Sequence, residues 1–120
     1  AYDAAVAAAR PGATARDVDA AQRAIVESAP DVGDCLHGAG HAIGLEVHEP
    51  PFLVPAGGDV LVAGTVLTIE PGIYRSGQGG IRLEDDVLVG ADGPELLSHL
   101  PLELRHIPAD AGQTDRRTGS

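Results

Sequence analysis

Three histidines, His37, His41 and His48, stand four and seven residues apart in the run LHGAGHAIGLEVHEPP over residues 36–51. Imidazole is the side chain best suited to binding a transition metal or moving a proton near neutral pH. Two carboxylates follow, Glu70 in VLTIEPG and Glu84 in GIRLEDD, each inside an apolar, strand-like run. An unpaired charge there is costly, and a metal cation is the simplest partner for it. Taken singly, either glutamate is better explained as a solvated surface group, by about three to one. Any one histidine is better explained as bonded to a loop carbonyl, by roughly two to one, but three histidines with both glutamates reverse that balance and point to metal-assisted hydrolysis.

The spacing excludes one metal motif. His37 and His41 would share a helix face, as in a zincin, but Gly38 and Gly40 disfavour a helix there. His48-Glu49 lacks the second histidine of a His-Glu-x-x-His motif, since residue 52 is Phe. Glycines beside histidines instead predict a turn where backbone closely approaches a strand or a ligand.

The elements that must position these groups fall into two textures. Tyr2, Ala5, Val6 and Ala9 recur at helical spacing and Pro11-Gly12 ends that run. A second helix is predicted from Thr14 as its cap, with Asp17 at the third helical position, an apolar stripe of Val18, Ala21, Ile25 and Ala29, and Pro30 as its stop. Beyond Pro30, strands are predicted at Val60–Val62, Thr65–Ile69, Ile81–Val89 and Glu95–Leu97, with a turn at residues 91–94. The expected class is α+β: two helices on an antiparallel sheet. Period-two alternation puts Thr68 with Glu70 on one strand face, and Arg82 with Glu84 on another. On neighbouring strands the two glutamates would point to a common place, where their repulsion calls for a cation.

Composition narrows the partners. The 120 residues suit one domain, taken as 1–108, followed by a polar tail over 109–120 that is expected to be disordered. A formal charge of −10 repels phosphate backbones and anionic bilayers, which disfavours nucleic acid and membrane partners. No run approaches the roughly 20 apolar residues of a membrane span. Cys35 is the single cysteine, read as a small buried hydrophobe in a reducing compartment, and the cytoplasm is the expected location.

Three ordered motifs, HGxGHxIGLxVHExP, GxVLTIEPGIY and GGIRLEDD, closely resemble the pita-bread metallopeptidases. The Arg-Leu-Glu-Asp form around Glu84 resembles Xaa-Pro aminopeptidases and Xaa-Pro dipeptidases, and leaves the choice between them open. The resemblance implies the C-terminal portion of the pita-bread fold, with a curved antiparallel sheet, and hydrolysis of the bond preceding proline in a peptide substrate. It implies His41, Glu70 and Glu84 as metal ligands, Glu70 also as proton shuttle, His48 and His37 as substrate-side groups, and Arg82 as a residue orienting the ligands. It further implies two divalent ions, manganese by preference, with cobalt or zinc as substitutes. Two more aspartate ligands belong to a strand pair preceding the first helix. The sequence begins at Ala1, inside the corresponding helix, so both are expected to be missing. Three donors of five would hold one ion weakly rather than a bridged pair. A separate N-terminal half or a homo-oligomer would have to complete the site, and the alternative is a non-catalytic pita-bread module that binds peptides or a protein partner.

Overall fold

The computed structural model describes residues 1–108, so the tail expected at 109–120 lies outside the described residues. Helix α1 spans Tyr2–Ala8 and α2 spans Ala15–Glu27. Thr14 starts α2 with a reciprocal cap: its Oγ1 accepts the Asp17 N–H at 3.3 Å, and Asp17 Oδ2 accepts the Thr14 N–H at 2.8 Å. These satisfy donors that the helix itself leaves open. The bond from the Thr14 N–H, joined by one from its hydroxyl, holds the Asp17 carboxyl below its ordinary value. Thr14→Ala is expected to cost about 1 kcal/mol, read as a lower urea midpoint with an unchanged m-value.

The buried face of α2 differs from the predicted stripe. Ala15, Val18, Asp19, Gln22 and Val26 are buried, whereas Ile25 is 48% exposed. A search for apolar periodicity passes over Asp19 and Gln22, and so rotates the helix away from its true inner face.

Seven short strands follow: β1 Gly40–Ala42, β2 Glu49–Leu53, β3 Val66–Ile69, β4 Gly72–Arg75, β5 Gly79–Arg82, β6 Asp85–Gly90 and β7 Gly93–Leu96. Five form one sheet in the order β2-β1-β3-β6-β7, and β4 pairs with β5 apart from it; every pairing is antiparallel. The helices pack on this sheet through α2 on β2 and α1 on β3 and β7. The core between them holds Ala5, Ala9, Val18, Leu53, Leu61, Leu67, Ile69, Val87 and Val89. Alanines on the helix side let the backbones approach closely without large aromatic side chains.

Two predicted strands change form. Residues 60–62 make no ladder: Leu61 is buried and its N–H donates to Ala13 O at 2.8 Å, so the segment ties down the turn before α2. The predicted run Ile81–Val89 is broken at Leu83 and Glu84 into β5 and β6. Opposite the break lies Pro71, which has no N–H to give the ladder. Ile69 pairs with Asp85 and Gly72 with Arg82, so one register runs through the interruption and sets Glu70 opposite Glu84. Among the described residues no helix is long and apolar enough to cross a membrane.

Beneath the break, the buried Tyr2 hydroxyl donates to Asp85 Oδ2 at 2.5 Å, joining α1 to the start of β6. Burial, reinforced by the bond to Asp85, pushes the Tyr2 phenol above its ordinary value of 10.0. The unfolded chain therefore releases this proton at lower pH than the folded one. Stability is full below about pH 10 and falls above it, by about 1.4 kcal/mol per pH unit for this proton. Tyr2→Phe should lose that alkaline slope and, with Asp85 left short of a donor, about 1–3 kcal/mol at neutral pH. Urea unfolding from about pH 7 to about pH 11 tests this; identical alkaline slopes in both proteins would count against it.

Candidate functional site

The histidine-rich run is a turn around the short strand β1, which lies between β2 and β3. Gly40 makes this possible, because an added Cβ would sit 1.9 Å from Thr68 O. That close approach carries His41 onto β3. Its N–H donates to Thr68 Oγ1 at 3.0 Å, and the Glu70 N–H donates to Ala39 O at 2.7 Å. His41 and Glu70 are thus aligned by adjoining backbones before their side chains meet.

His41 is buried, with Nδ1 at 3.0 Å from Ala42 O. A carbonyl oxygen can only accept, so Nδ1 carries a proton. In the neutral ring this leaves the Nε2 lone pair free. Nε2 lies 3.6 Å from Glu70 Oε1, and Arg82 Nε lies 3.8 Å from Glu70 Oε2. The same guanidinium donates to Glu84 Oε2 at 3.1 Å. Arg82 thus bridges the two carboxylates that the Pro71 break sets face to face. The His48 ring lies against His41 in a tilted contact, with ring centroids 4.2 Å apart and planes inclined by 44°.

The structure brings four of the six predicted site residues, His41, Glu70, Arg82 and Glu84, into one connected row, with His48 against its end. Glu84 is more exposed than its apolar setting in the sequence suggests, with 43% of its side chain open. Among the described residues no three metal-capable side chains converge on one point. The donor chemistry nevertheless fits a divalent cation, with one imidazole bearing a free Nε2 and two carboxylates, whose charge Arg82 partly balances from its place between them.

His37 lies apart from this row. Its Nδ1 is 2.8 Å from Gly38 O and its Nε2 is 2.7 Å from the Tyr74 hydroxyl. By the same reasoning Nδ1–H donates to the carbonyl, and in the neutral ring the Tyr74 hydroxyl donates to Nε2. Both ring nitrogens are engaged within the chain. A Cβ at Gly72 would lie 2.6 Å from the Tyr74 hydroxyl and 2.8 Å from His37 Nε2, so this pair needs a glycine beside it. Tyr74 is a residue that reading for histidines and carboxylates passes over; its place in the GIY end of the second motif was the available signal. The other is Arg23, four residues after the buried Asp19, with the spacing of a helical ion pair.

The fold is the pita-bread fold of the prolidases. The chain belongs to metallopeptidase family M24, whose model matches residues 1–91. It is 46% identical over 105 residues to the probable dipeptidase PepE of Mycobacterium tuberculosis, covering 88% of this chain and 28% of that protein. It is 42% identical over 100 residues to the Xaa-Pro dipeptidase of Pyrococcus furiosus, covering 83% of this chain and 29% of the relative. Among solved structures, the Xaa-Pro dipeptidase from Bacillus anthracis superposes with a TM-score of 0.78 at 39% identity, covering 86% of this chain and 29% of that one. The chain therefore spans less than a third of the length of these relatives.

Proposed function

We propose that this chain carries the histidine and glutamate half of a metallopeptidase site that cleaves Xaa-Pro bonds, with a dipeptide as the favoured substrate. The observation that carries the reading is the row from His41 Nε2 through Glu70 and Arg82 to Glu84, assembled at the strand break. The relatives named Xaa-Pro dipeptidase support the substrate class. A divalent metal bound by His41, Glu70 and Glu84 would lower the pKa of water and polarise a carbonyl. Oxygen-rich ligation favours manganese.

The chain's own groups then divide the work. A Glu70 carboxylate oxygen takes the proton of the attacking water and returns it to the departing proline nitrogen. Arg82 fixes the carboxylate planes of Glu70 and Glu84, so neither reorients as charge moves. His48, exposed beside His41, donates to the substrate carbonyl as negative charge grows on it. His37 acts through Tyr74, since both its nitrogens are already bonded. A non-catalytic binding module has no packing reason to keep a buried imidazole with a free Nε2 against a carboxylate, and the intact set weighs against it.

Calorimetric titration of the metal-stripped chain with Mn²⁺, followed by an Xaa-Pro dipeptide assay on the same sample, tests the proposal. Saturable binding of one ion supports a partial site awaiting further ligands. Two ions per chain would mean that the further ligands come from this chain or from a second copy. No saturable binding would sink the metal reading for this chain.

A further inference from the structure

We propose that Arg23, on α2, is a positioning residue that locks the His37–Tyr74 pair in one hydrogen-bonding arrangement; its bearing on catalysis rests on the metallopeptidase reading above. The guanidinium uses all three of its nitrogens. Nε donates to Asp19 Oδ2 at 2.7 Å, Nη1 to Cys35 O at 3.2 Å and Nη2 to His37 O at 3.0 Å. Asp19 is 1% exposed, and its other oxygen accepts Gln22 Nε2 at 3.0 Å. A carboxylate sunk this deeply gains little net stability from its ion pair, because desolvation offsets the attraction. Its geometric effect is larger. Asp19 fixes the plane of the guanidinium, and the two remaining nitrogens then grip two carbonyls of the segment that carries His37.

The other contacts of this segment converge on the same pair. Asp34 and Tyr74 exchange backbone bonds, N–H to O at 2.9 and 3.0 Å, and these set β4 against the start of the loop. Between that bridge and β1, the Arg23 fork holds the carbonyls of residues 35 and 37, and the weaker Cys35 thiol, 3.5 Å from His37 O, is the other group donating to the latter. Released from the fork, the His37 carbonyl can turn, and the ring loses the orientation in which Nδ1–H meets Gly38 O while Nε2 meets Tyr74. His41 has its own supports in Thr68 and Ala42 and does not depend on Arg23. The two histidines should therefore respond differently.

Histidine side-chain ¹⁵N NMR on the 120-residue chain tests this. In the unmodified chain, His37 and His41 should each show a single tautomer protonated at Nδ1. In Arg23→Met, His37 should lose that fixed-tautomer pattern and its ring contacts with Tyr74, while His41 keeps its pattern. Arg23→Lys retains a cation beside Asp19 but presents one ammonium instead of a fork, so it should fail at His37 in the same way. An unchanged His37 pattern in Arg23→Met, or a restored one in Arg23→Lys, overturns the proposal. If circular dichroism shows that Arg23→Met does not fold, Arg23→Lys decides. Adding Mn²⁺ to the same samples separates the two readings. Absence of paramagnetic broadening at His41 would count against the metal centre and leave the Arg23 clamp standing.

Discussion

Replacing His41 by alanine is expected to weaken Mn²⁺ binding by more than about 100-fold, since partners one bond removed from a metal already carry 10- to 100-fold. His41 is the one imidazole whose ring is fixed with Nδ1 on a carbonyl and Nε2 facing Glu70. Alanine deletes that donor and leaves a pocket between β1 and β3. His48→Ala is expected to leave metal affinity within about threefold, because His48 touches the row through a tilted ring contact with His41. Calorimetry on both variants separates the roles. Equal losses would mean that His48 is a ligand or that His41 is not, and the assignment of His41 would fall.

The second large effect is expected from a methyl group. Gly40→Ala should destabilise the chain by about 2–6 kcal/mol, taking roughly 1–3 from backbone strain and a similar amount from overpacking. Gly40 has φ of 151°, and its added Cβ would meet Thr68 O at 1.9 Å, with Thr68 C at 2.8 Å. Those are main-chain atoms of β3, so relief requires β1 to move away from its neighbour. The movement would break the His41 N–H bond to Thr68 and separate His41 from Glu70. Gly64→Ala is the control, also at positive φ, 95°, but with open space around the missing side chain. A smaller loss there isolates the steric part. Equal losses in the two variants, by chemical denaturation, would show that the close approach at Gly40 is not what sets the cost.

Much of this site is legible without the fold. Histidine is rarely clustered for packing, and three in a glycine-rich run with two glutamates in apolar strands announce metal chemistry. The helix starts are equally readable, because the Thr14–Asp17 cap is local in sequence and its hydrogen bonds need nothing distant. The inner face of α2 is not, for the opposite reason. Asp19 is buried beneath Arg23 of the same helix, whose two remaining nitrogens reach the carbonyls of Cys35 and His37 on a segment remote in the chain, and Gln22 is buried beside Asp19, which it bonds. No periodicity within the helix carries that information.

Residue chemistry and local spacing thus determined the two helices, the antiparallel character of the strands beyond them and the candidate donors, and the three ordered motifs carried the resemblance to the family. Those features depend on side-chain type and on neighbours within a few positions. Only the tertiary structure decided how the donors meet. A missing N–H at Pro71 interrupts a continuous register and turns Glu70 and Glu84 toward each other, with Arg82 between them. Gly40 brings β1 close enough to β3 for His41 to reach Glu70. Arg23 reaches across to hold the loop that bears His37. Each is a contact between segments remote in the chain, settled by how closely two backbones can approach, and a sequence read along its length does not contain that distance.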